Sequence, residues 1–441
     1  VMGWVINAMA SVVSVVLTID RWVAVWGCVA IALIYAILSG FWGVVVTDLV
    51  QFVIAMTGSV LLAFIAVDHV GGMGMLLEKL QALQASGSEA INPDTLRFIP
   101  PVPDAEFFSQ AFWESPFSKF LVFLTVMWWS THNTDGGGYI IQRMSSAKDE
   151  RHALLATLWF NLAHYALRVW PWAVVALVSI VMFPAIPESY AELGSKAGYP
   201  LVLNALLGPG LRGLLVVSFL AAFMSTIDTH LNWGSSYLIN DIYKRFMRPN
   251  ESQEHYVKVS KLCTVVLMIF AALVAMKMQS ISKAWEFIFA MGAGIGLVLI
   301  LRWFWWRVNA WSEITALGVS ITITIIFEAI AASQTISAGE SYSLFSKAPV
   351  LFGVSLQVHH KLLIIVPIAL CSWIAVTFLT SPEPEEKLRE FYRRVHPGGW
   401  WGAFQSEEVV GEPVSRGFLV NWLGGVAFIY GTTFAIGQFL F

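Results

Sequence analysis

Four residues suited to binding a cation lie within the hydrophobic stretch "LAAFMSTIDTHLNWGSSYLINDIYKRF", residues 220–246. Ala222, Ser225, Thr226 and Thr229 are spaced i, i+3, i+4 and i+7, which places them on one stripe of an α-helix. Adjacent hydroxyls and a backbone carbonyl offer uncharged oxygen ligands, which suit Na⁺ in membrane transporters. Serine and threonine in membrane helices also bond to the carbonyl four residues before them. From these residues alone, a sodium site and a local helix contact both remain open.

A second polar stretch interrupts the segment "FLTVMWWSTHNTDGGGYIIQRM", residues 123–144. Three consecutive glycines, 136–138, each disfavour a helix by roughly 1 kcal/mol relative to alanine. In lipid a helix break is tolerated only where it lines a cavity or is buried in protein, and broken helices are typical of transporter binding sites. A kink that lets another helix approach closely is the alternative. The polar residues 130–135 before the glycines favour a site.

Two further hydrophobic segments contain ionisable residues, which membranes exclude unless they pair or bind a ligand. Asp48 lies early in "FWGVVVTDLVQF", where it either stabilises the helix start through the helix dipole or serves a site. Arg168 lies in mid-segment, one turn after His164. We expect Arg168 to form a structural ion pair with Asp228 or Asp135.

The histidines of these segments, His164 and His230, are predicted to be satisfied interior residues rather than proton carriers. Asp228 and His230 follow the hydroxyl stripe directly and have no role that the residue types alone assign.

The composition is that of a membrane protein. Of 441 residues, 57% are hydrophobic and 12% charged, and the mean hydropathy is +0.69, whereas soluble domains carry about 25% charged residues. The net charge of −3 gives no indication of a nucleic-acid partner. Three isolated cysteines suggest neither a disulfide framework nor a metal site. No nucleophile–base pair has a convincing spacing, so we predict that the chain is not an enzyme.

Windows of about 20 apolar residues, the length that crosses a bilayer, predict eleven membrane spans. They are 1–18, 22–39, 42–68, 117–141, 153–182, 212–238, 259–277, 284–304, 312–333, 359–380 and 417–440. Most lysines and arginines fall in the loops after the even-numbered spans, so those loops are predicted to be cytoplasmic. Between spans, "MLLEKLQALQ" at 75–84 has helical spacing and could lie on the membrane surface.

Four motifs together make the chain resemble the sodium–solute symporter family, which includes sodium–glucose and sodium–proline cotransporters. They are "SGFWGVVVTDLVQ" (39–51), "GYIIQRMSSAKDE" (138–150), "AAFMSTIDTHLNWGSSYLINDIYKRF" (221–246) and "RWFWWRVN" (302–309). They occur in the family's order and at family-like spacing, and the resemblance covers nearly the whole chain.

The resemblance implies an all-α polytopic membrane protein with a five-plus-five inverted-repeat core and about three peripheral helices. Residues 1–310 would form the core, from part of core helix three to core helix ten with the outer loop 71–116. Residues 311–441 would form the peripheral helices. The first repeat would be incomplete, with core helices one and two absent ahead of Val1, and we expect such a chain not to transport alone.

The resemblance also assigns roles to residues. Ala222 (through its carbonyl), Ser225 and Thr226 match the family's sodium ligands on core helix eight, and Asp48 matches a motif aspartate near the ion's path. No other cofactor is implied. The substrate side is expected around the glycine break and on core helix ten, where Trp285 or Glu286 replaces the glutamine of sugar-transporting relatives. The predicted substrate-binding residues are Trp129, His132, Asn133, Asp135 and Trp285.

The predicted function is Na⁺-coupled symport of a small polar solute, such as a sugar or amino acid, into the cytoplasm by alternating access. The partners would be Na⁺, the solute and membrane lipid, and the location a plasma or inner membrane. A proton-coupled carrier using Asp228, His230 or Asp48 is one alternative. A membrane sensor module of a longer signalling protein is another.

Overall fold

The structure is a computed structural model that describes residues 1–38, 41–97, 99–132, 134–278, 281–340, 347–351, 353–405 and 416–440. For residues 37, 38, 41–48, 139, 142, 416 and 418 it describes the backbone alone. Asn133 and the side chain of Asp48, both predicted site residues, therefore lie outside the description.

The described chain is almost entirely helical. Its α-helices are α1 Met2–Leu17, α2 Arg21–Leu38, α3 Phe41–His69, α4 Met73–Ala85, α5 Gln110–Trp113, α6 Pro116–Val122, α7 Trp128–Ser130, α8 Gly137–Ser145, α9 Glu150–Asn161, α10 Val169–Met182, α11 Gly198–Leu206, α12 Pro209–Ser236, α13 Gln253–Lys277, α14 Ile281–Met291, α15 Gly296–Phe304, α16 Ala310–Ser337, α17 Val358–Leu379, α18 Glu385–Val395 and α19 Arg416–Leu440. π-Helical turns cover Phe123–Met127, Leu162–Leu167 and Tyr237–Met247, and 3₁₀ turns cover Glu188–Ala197 and Gly402–Phe404. Strands β1 Val350–Leu351 and β2 Val354–Ser355 form one antiparallel hairpin.

All eleven predicted spans coincide with helical segments, and "MLLEKLQALQ" lies in α4. Within the described residues, seven helices are long and apolar enough to cross a membrane, or up to nine when each of two bent pairs is one span. The pairs are α1 with α2, bent by 117°, and α14 with α15, bent by 42°. The count falls below eleven because α1 and α2 form one such pair and because the fourth predicted span is broken between α7 and α8.

The residues group into two compact units. The first comprises Val1–Thr95, Ala163–Ile281 and Thr433–Phe441, and the second comprises Leu96–Leu162 and Ser282–Thr432. This grouping does not test the predicted boundary at residue 310, which stays a prediction.

In the first unit, α1, α2, α12 and α13 share a core rich in alanine. Alanines at 10, 24, 32, 36, 271, 272 and 275 are buried there beside Phe223, Ile227, Leu231 and Met268. Small side chains let membrane helices approach closely, and close approach replaces the hydrophobic driving force that is missing between helices in lipid. Arg21 closes one end of this bundle: its Nη2 donates to the carbonyls of Met278 (2.9 Å) and Ala275 (3.2 Å) at the end of α13.

In the second unit, α14, α16 and α17 pack around a core that includes Ala290, Ala293, Phe327 and Leu362. Asn309 and Ser312 form a capping box at the start of α16, which satisfies backbone donors that a helix start leaves unpaired. The amphipathic α18 buries Leu388 and Tyr392 against Trp401 and Phe404.

Candidate functional site

The hydroxyl stripe of α12 lies on the opposite side of the helix from its buried residues. Ala222 is exposed and Ser225 and Thr226 are half-buried, whereas Phe223 and Ile227 point into the core of the first unit. Thr226 Oγ1 donates to the Ala222 carbonyl at 2.9 Å. This is the local bond that the sequence left open, and it also sets two candidate ligand oxygens side by side. The Thr226 hydroxyl oxygen keeps acceptor capacity, because it has two lone pairs.

Thr229 continues the stripe by donating from Oγ1 to the Ser225 carbonyl at 3.0 Å. Asp228, in contrast, is completely buried, and its Oδ1 accepts from Asn232 Nδ2 at 3.0 Å. His230 is half-buried. Asp228 therefore points into the buried side of α12, whereas His230, four residues after Thr226, lies beside the hydroxyl stripe.

Arg168 has different neighbours from those expected. Its Nη2 lies 3.2 Å from His164 Nε2, and its guanidinium stacks over Trp172, 4.9 Å from the ring centroid. Trp172 Nε1 in turn donates to Ser59 Oγ on α3 at 3.0 Å. The expected ion pair with Asp228 is not among the contacts of Arg168 within the described residues. A cation over an indole face is stabilised by the ring quadrupole, so the neighbouring aromatic takes the place of a carboxylate.

The glycine triplet breaks its helix where the sequence predicts. Helix α7 ends at Ser130 and α8 begins at Gly137. Gly136 and Gly137 have φ of 89° and 65°, conformations that residues with a Cβ rarely adopt. Asp135 Oδ1 accepts from the Gly137 amide at 3.0 Å, so it satisfies a donor at the start of α8.

A second break, which the sequence reading missed, packs against the first. Residues 292–295 separate α14 from α15, and the Gly294 amide donates to the Ser130 carbonyl at 2.7 Å. A Cβ on Gly296 would lie 2.4 Å from the Trp129 carbonyl oxygen. Gly296 is therefore required by direct contact between two backbones.

An ion-pair network lies just beyond the two breaks. Arg302 of α15 donates from Nη2 to Asp135 Oδ2 at 2.8 Å and from Nη1 to Glu313 Oε1 of α16 at 3.1 Å. Next to Asp135 is a cavity of about 690 Å³, bordered among others by Ile141 and Met144 of α8 and Leu299, Ile300 and Trp303 of α15. Its walls are mainly apolar side chains, with acidic groups at Asp135, Asp149 and Glu150.

The other predicted substrate residues occupy the same two broken helices. Trp129 Nε1 donates to the Thr125 carbonyl at 2.8 Å, and the ring of His132 lies against Gly292. Trp285 is 42% exposed on α14 and contacts Phe289. Glu286, the other candidate at this position, pairs with Lys283 at 3.0 Å. The structure thus brings Trp129, His132 and Asp135 to one break, and leaves Trp285 about two turns before the other.

Arg302, Glu313 and the three glycines of the second break are the site residues that sequence reasoning missed. Arg302 belongs to the motif "RWFWWRVN" and lies in the last turn of α15. The alternating glycines of "GAGIG" were a usable signal, because glycine lowers helix stability by about 1 kcal/mol and must have a reason within a span.

At the mouth of the cavity, Asp149 caps α9. Its Oδ1 accepts from the His152 amide (2.9 Å) and lies 2.7 Å from the His152 ring. These hydrogen bonds, the backbone bond first, lower the pKa of the Asp149 carboxyl below its usual value. A lowered pKa means that the cap stabilises above the usual aspartate pKa of about 4 and is lost as the pH falls through the lowered value. We expect Asp149→Ala to lower the hydrogen-exchange protection factors of the first-turn amides of α9 at pH 7, and acid to lower the same protection factors in the wild type. Equal exchange in both proteins at pH 7 would contradict the assignment.

The structure combines long apolar helices with two broken helices whose breaks contact each other. This arrangement is typical of polytopic membrane proteins of the transporter class. A profile of the Sodium:solute symporter family matches residues 4–319. The chain therefore belongs to the sodium:solute symporter family, as the motifs indicated. This membership also places it among transport proteins rather than enzymes and makes it an integral membrane protein.

Several individual proteins are similar to the chain at sequence identities below 30%. A sodium/mannose cotransporter from Bos taurus is 28% identical over 67% of this chain and 52% of its own length. Sodium/glucose cotransporter 4 from Danio rerio is 27% identical over 86% and 58%, and the sodium/proline symporter from Escherichia coli (strain K12) is 23% identical over 69% and 56%. The chain thus spans about half the length of the curated relatives it matches.

A solved structure of a Na⁺-coupled sialic acid symporter, in its substrate-bound outward-open state, has the same fold. The TM-score is 0.55 at 18% identity, covering 86% of this chain and 73% of that one. The likeness confirms the predicted all-α polytopic membrane fold. The five-plus-five repeat and its missing helices stay predictions.

Proposed function

We propose that the protein to which this chain belongs carries a small polar solute into the cytoplasm together with Na⁺, which is the coupling ion and the only cofactor. The observation that carries the proposal is the α12 stripe, where the Ala222 carbonyl and the Thr226 hydroxyl lie 2.9 Å apart beside Ser225. The stripe lies on a side of α12 that is outside the buried core of the first unit. The cotransporter and symporter names of the relatives support sodium over a proton or a sensor role.

In this proposal Na⁺ is bound by the Ala222 carbonyl and the hydroxyls of Ser225 and Thr226, with Asp48 near its path. The solute, a sugar, amino acid or similar molecule, binds beside the break at 131–136, near Trp129, His132 and Asn133. A backbone break exposes carbonyls and amides that a continuous helix would use itself, which suits recognition of a polar solute. Coupling requires that ion and solute favour the same conformation, and the effect of each on the affinity of the other is then equal.

The lysines and arginines in the loops after the even-numbered spans support a cytoplasmic location for those loops, in a protein of the plasma or inner membrane. Sodium and solute would enter the protein from the opposite side of the membrane and leave it on the cytoplasmic side. Membrane lipid would surround the protein.

The site is tested by binding ²²Na⁺ to the purified full-length protein and to Ser225→Ala/Thr226→Ala. We expect the double variant to bind Na⁺ at least about tenfold more weakly, a loss of about 1.4 kcal/mol, with little change in melting temperature. Both hydroxyls are half-buried and lie away from Phe223 and Ile227 of the core, so folding should depend little on them.

Thr322→Ala is the matched control, because Thr322 makes the same local bond to the Gly318 carbonyl (2.7 Å) on an exposed face of α16. It should leave sodium binding unchanged. Unaltered affinity in the double variant would refute the site, and solute flux driven by a pH gradient in sodium-free buffer would favour the proton-coupled alternative. Thermal-shift screening of solute classes with and without Na⁺ would then identify the solute.

A further inference from the structure

Each carboxylate oxygen of Asp135 already has a partner within the protein. Oδ1 accepts from the Gly137 amide and Oδ2 accepts from Arg302, while the side chain is only 11% exposed. A solute amine at either oxygen would have to share it with the guanidinium or with the first amide of α8. These contacts fit an anchor of the break better than a solute ligand.

Arg302 connects three elements through one planar group. One side of its guanidinium binds Asp135 in the break before α8, and the other binds Glu313 in the first turn of α16. The Asp135 contact is the more shielded of the two, since Glu313 is 35% exposed, and exposed ion pairs contribute little. The Asp135–Arg302 pair is therefore the main link.

The two broken helices are thus joined at two levels. Before the break in one helix, the Ser130 carbonyl accepts from Gly294, at the bend of the other. After the break, Asp135 binds Arg302 near the end of α15. Helices α8 and α15 also form facing walls of the 690 Å³ cavity. If one of them moved alone, the ion pair would be pulled apart.

We propose that Arg302 is a positioning residue for transport: through Asp135 it holds α8 to α15, so that the halves following the two breaks move as one body. Asp135 then serves this pair and not the solute. The role as a transport device rests on the proposed function, whereas the coupling of α8 to α15 can be measured without a solute.

The experiment labels Leu299→Cys, which lies on the α15 wall of the cavity and is only 9% exposed, with a maleimide in the full-length protein reconstituted in nanodiscs. Cys28, Cys263 and Cys371 are replaced by serine in every sample. Asp135→Asn and Arg302→Gln should each speed labelling about tenfold, equivalent to about 1.4 kcal/mol, because α8 then separates from α15 more often. Asparagine keeps an oxygen for the Gly137 amide, so this variant removes the ion pair and retains the cap.

The double variant distinguishes an ion pair from two independent effects. If the residues act on each other, Asp135→Asn/Arg302→Gln should label about tenfold faster, like each single variant, since contacting residues are not additive. If the two accelerations multiplied, so that the double variant labelled about a hundredfold faster than the wild type, the residues would act independently and the proposal would be overturned. Labelling of the variants at the wild-type rate would also overturn it. Arg302→Lys, which keeps the charge, should label close to the wild-type rate and serves if Arg302→Gln does not fold.

Arg307→Gln is the matched control. Arg307 lies beyond α15 and donates to the Phe378 and Thr380 carbonyls, so its loss should leave labelling unchanged. ²²Na⁺ affinity is measured in parallel and should be retained in Asp135→Asn, because the α12 stripe is intact. Loss of that affinity would argue against a positioning role. Failure of the wild type to bind ²²Na⁺ would refute the proposed function while the labelling result still decides on the ion pair.

Discussion

Gly296→Ala is expected to lower the free energy of unfolding by about 1–3 kcal/mol, the range for forcing extra atoms into a packed interior. A Cβ at this position would lie 2.4 Å from the Trp129 carbonyl oxygen, 2.5 Å from Thr134 Oγ1 and 2.6 Å from the Ser130 carbonyl carbon. Two of these atoms belong to backbone, which cannot rotate aside. Relief therefore requires that the breaks separate and that the bond from Gly294 to Ser130 lengthens. Unfolding of the purified full-length protein in increasing denaturing detergent measures the change.

Two other glycines give a graded comparison. A Cβ on Gly318 in α16 would have no neighbour within 4 Å, so Gly318→Ala should stabilise by about 0.5–1 kcal/mol through helix propensity alone. Gly292 faces the ring of His132, a side chain that can move, so Gly292→Ala should fall between the two. If Gly296→Ala and Gly318→Ala unfolded at the same detergent concentration, the assigned contact between the two breaks would be refuted.

The sequence signals the first break strongly and the second only weakly, for a physical reason. Three adjacent glycines beside a polar run have neither the helix propensity nor the hydropathy of a membrane span, so the sequence itself predicts a break there. In "GAGIG" the glycines alternate with Ala293 and Ile295, so the segment still satisfies the hydropathy of a span. At the bend between α14 and α15 the Gly294 amide donates to the Ser130 carbonyl, and Ser130 is distant in the sequence.

The same distinction holds for the site. The bond from Thr226 to Ala222 follows from helix geometry, because residues four apart lie on one face, and it could be anticipated. Arg302 and Asp135 are 167 residues apart, and only the fold brings them together. Arg168 was expected to require a carboxylate, but the local helix already supplies His164 and Trp172, one turn to either side.

A buried ion pair between α16 and α17 should show the largest effect of a single substitution. Lys361 Nζ donates to Glu328 Oε1 at 3.3 Å, and the two side chains are only 11% and 15% exposed. We expect Glu328→Met to destabilise by about 3–5 kcal/mol, because it leaves a buried ammonium without its carboxylate. Among the described residues Glu328 is the one ion-pair partner that Lys361 has.

The exposed pair of Lys347 with Glu340 provides the control. Those side chains are 48% and 55% exposed, and exposed pairs contribute about 0–1 kcal/mol. Glu340→Gln should therefore hardly change unfolding in the same detergent titration. A similar small effect for Glu328→Met would mean that water or another group compensates the Lys361 charge.

Removing both charges should recover most of the loss. In Glu328→Met/Lys361→Met no uncompensated charge remains, and apolar replacements of a buried pair are often neutral or stabilising. The neighbouring core contains Phe327, Leu362 and Ile365, and methionine adapts to irregular apolar space. We expect the double variant to unfold within about 1 kcal/mol of the wild type. A double variant as unstable as Glu328→Met would show that the loss comes from packing and not from charge, because the substitution at 328 is common to both.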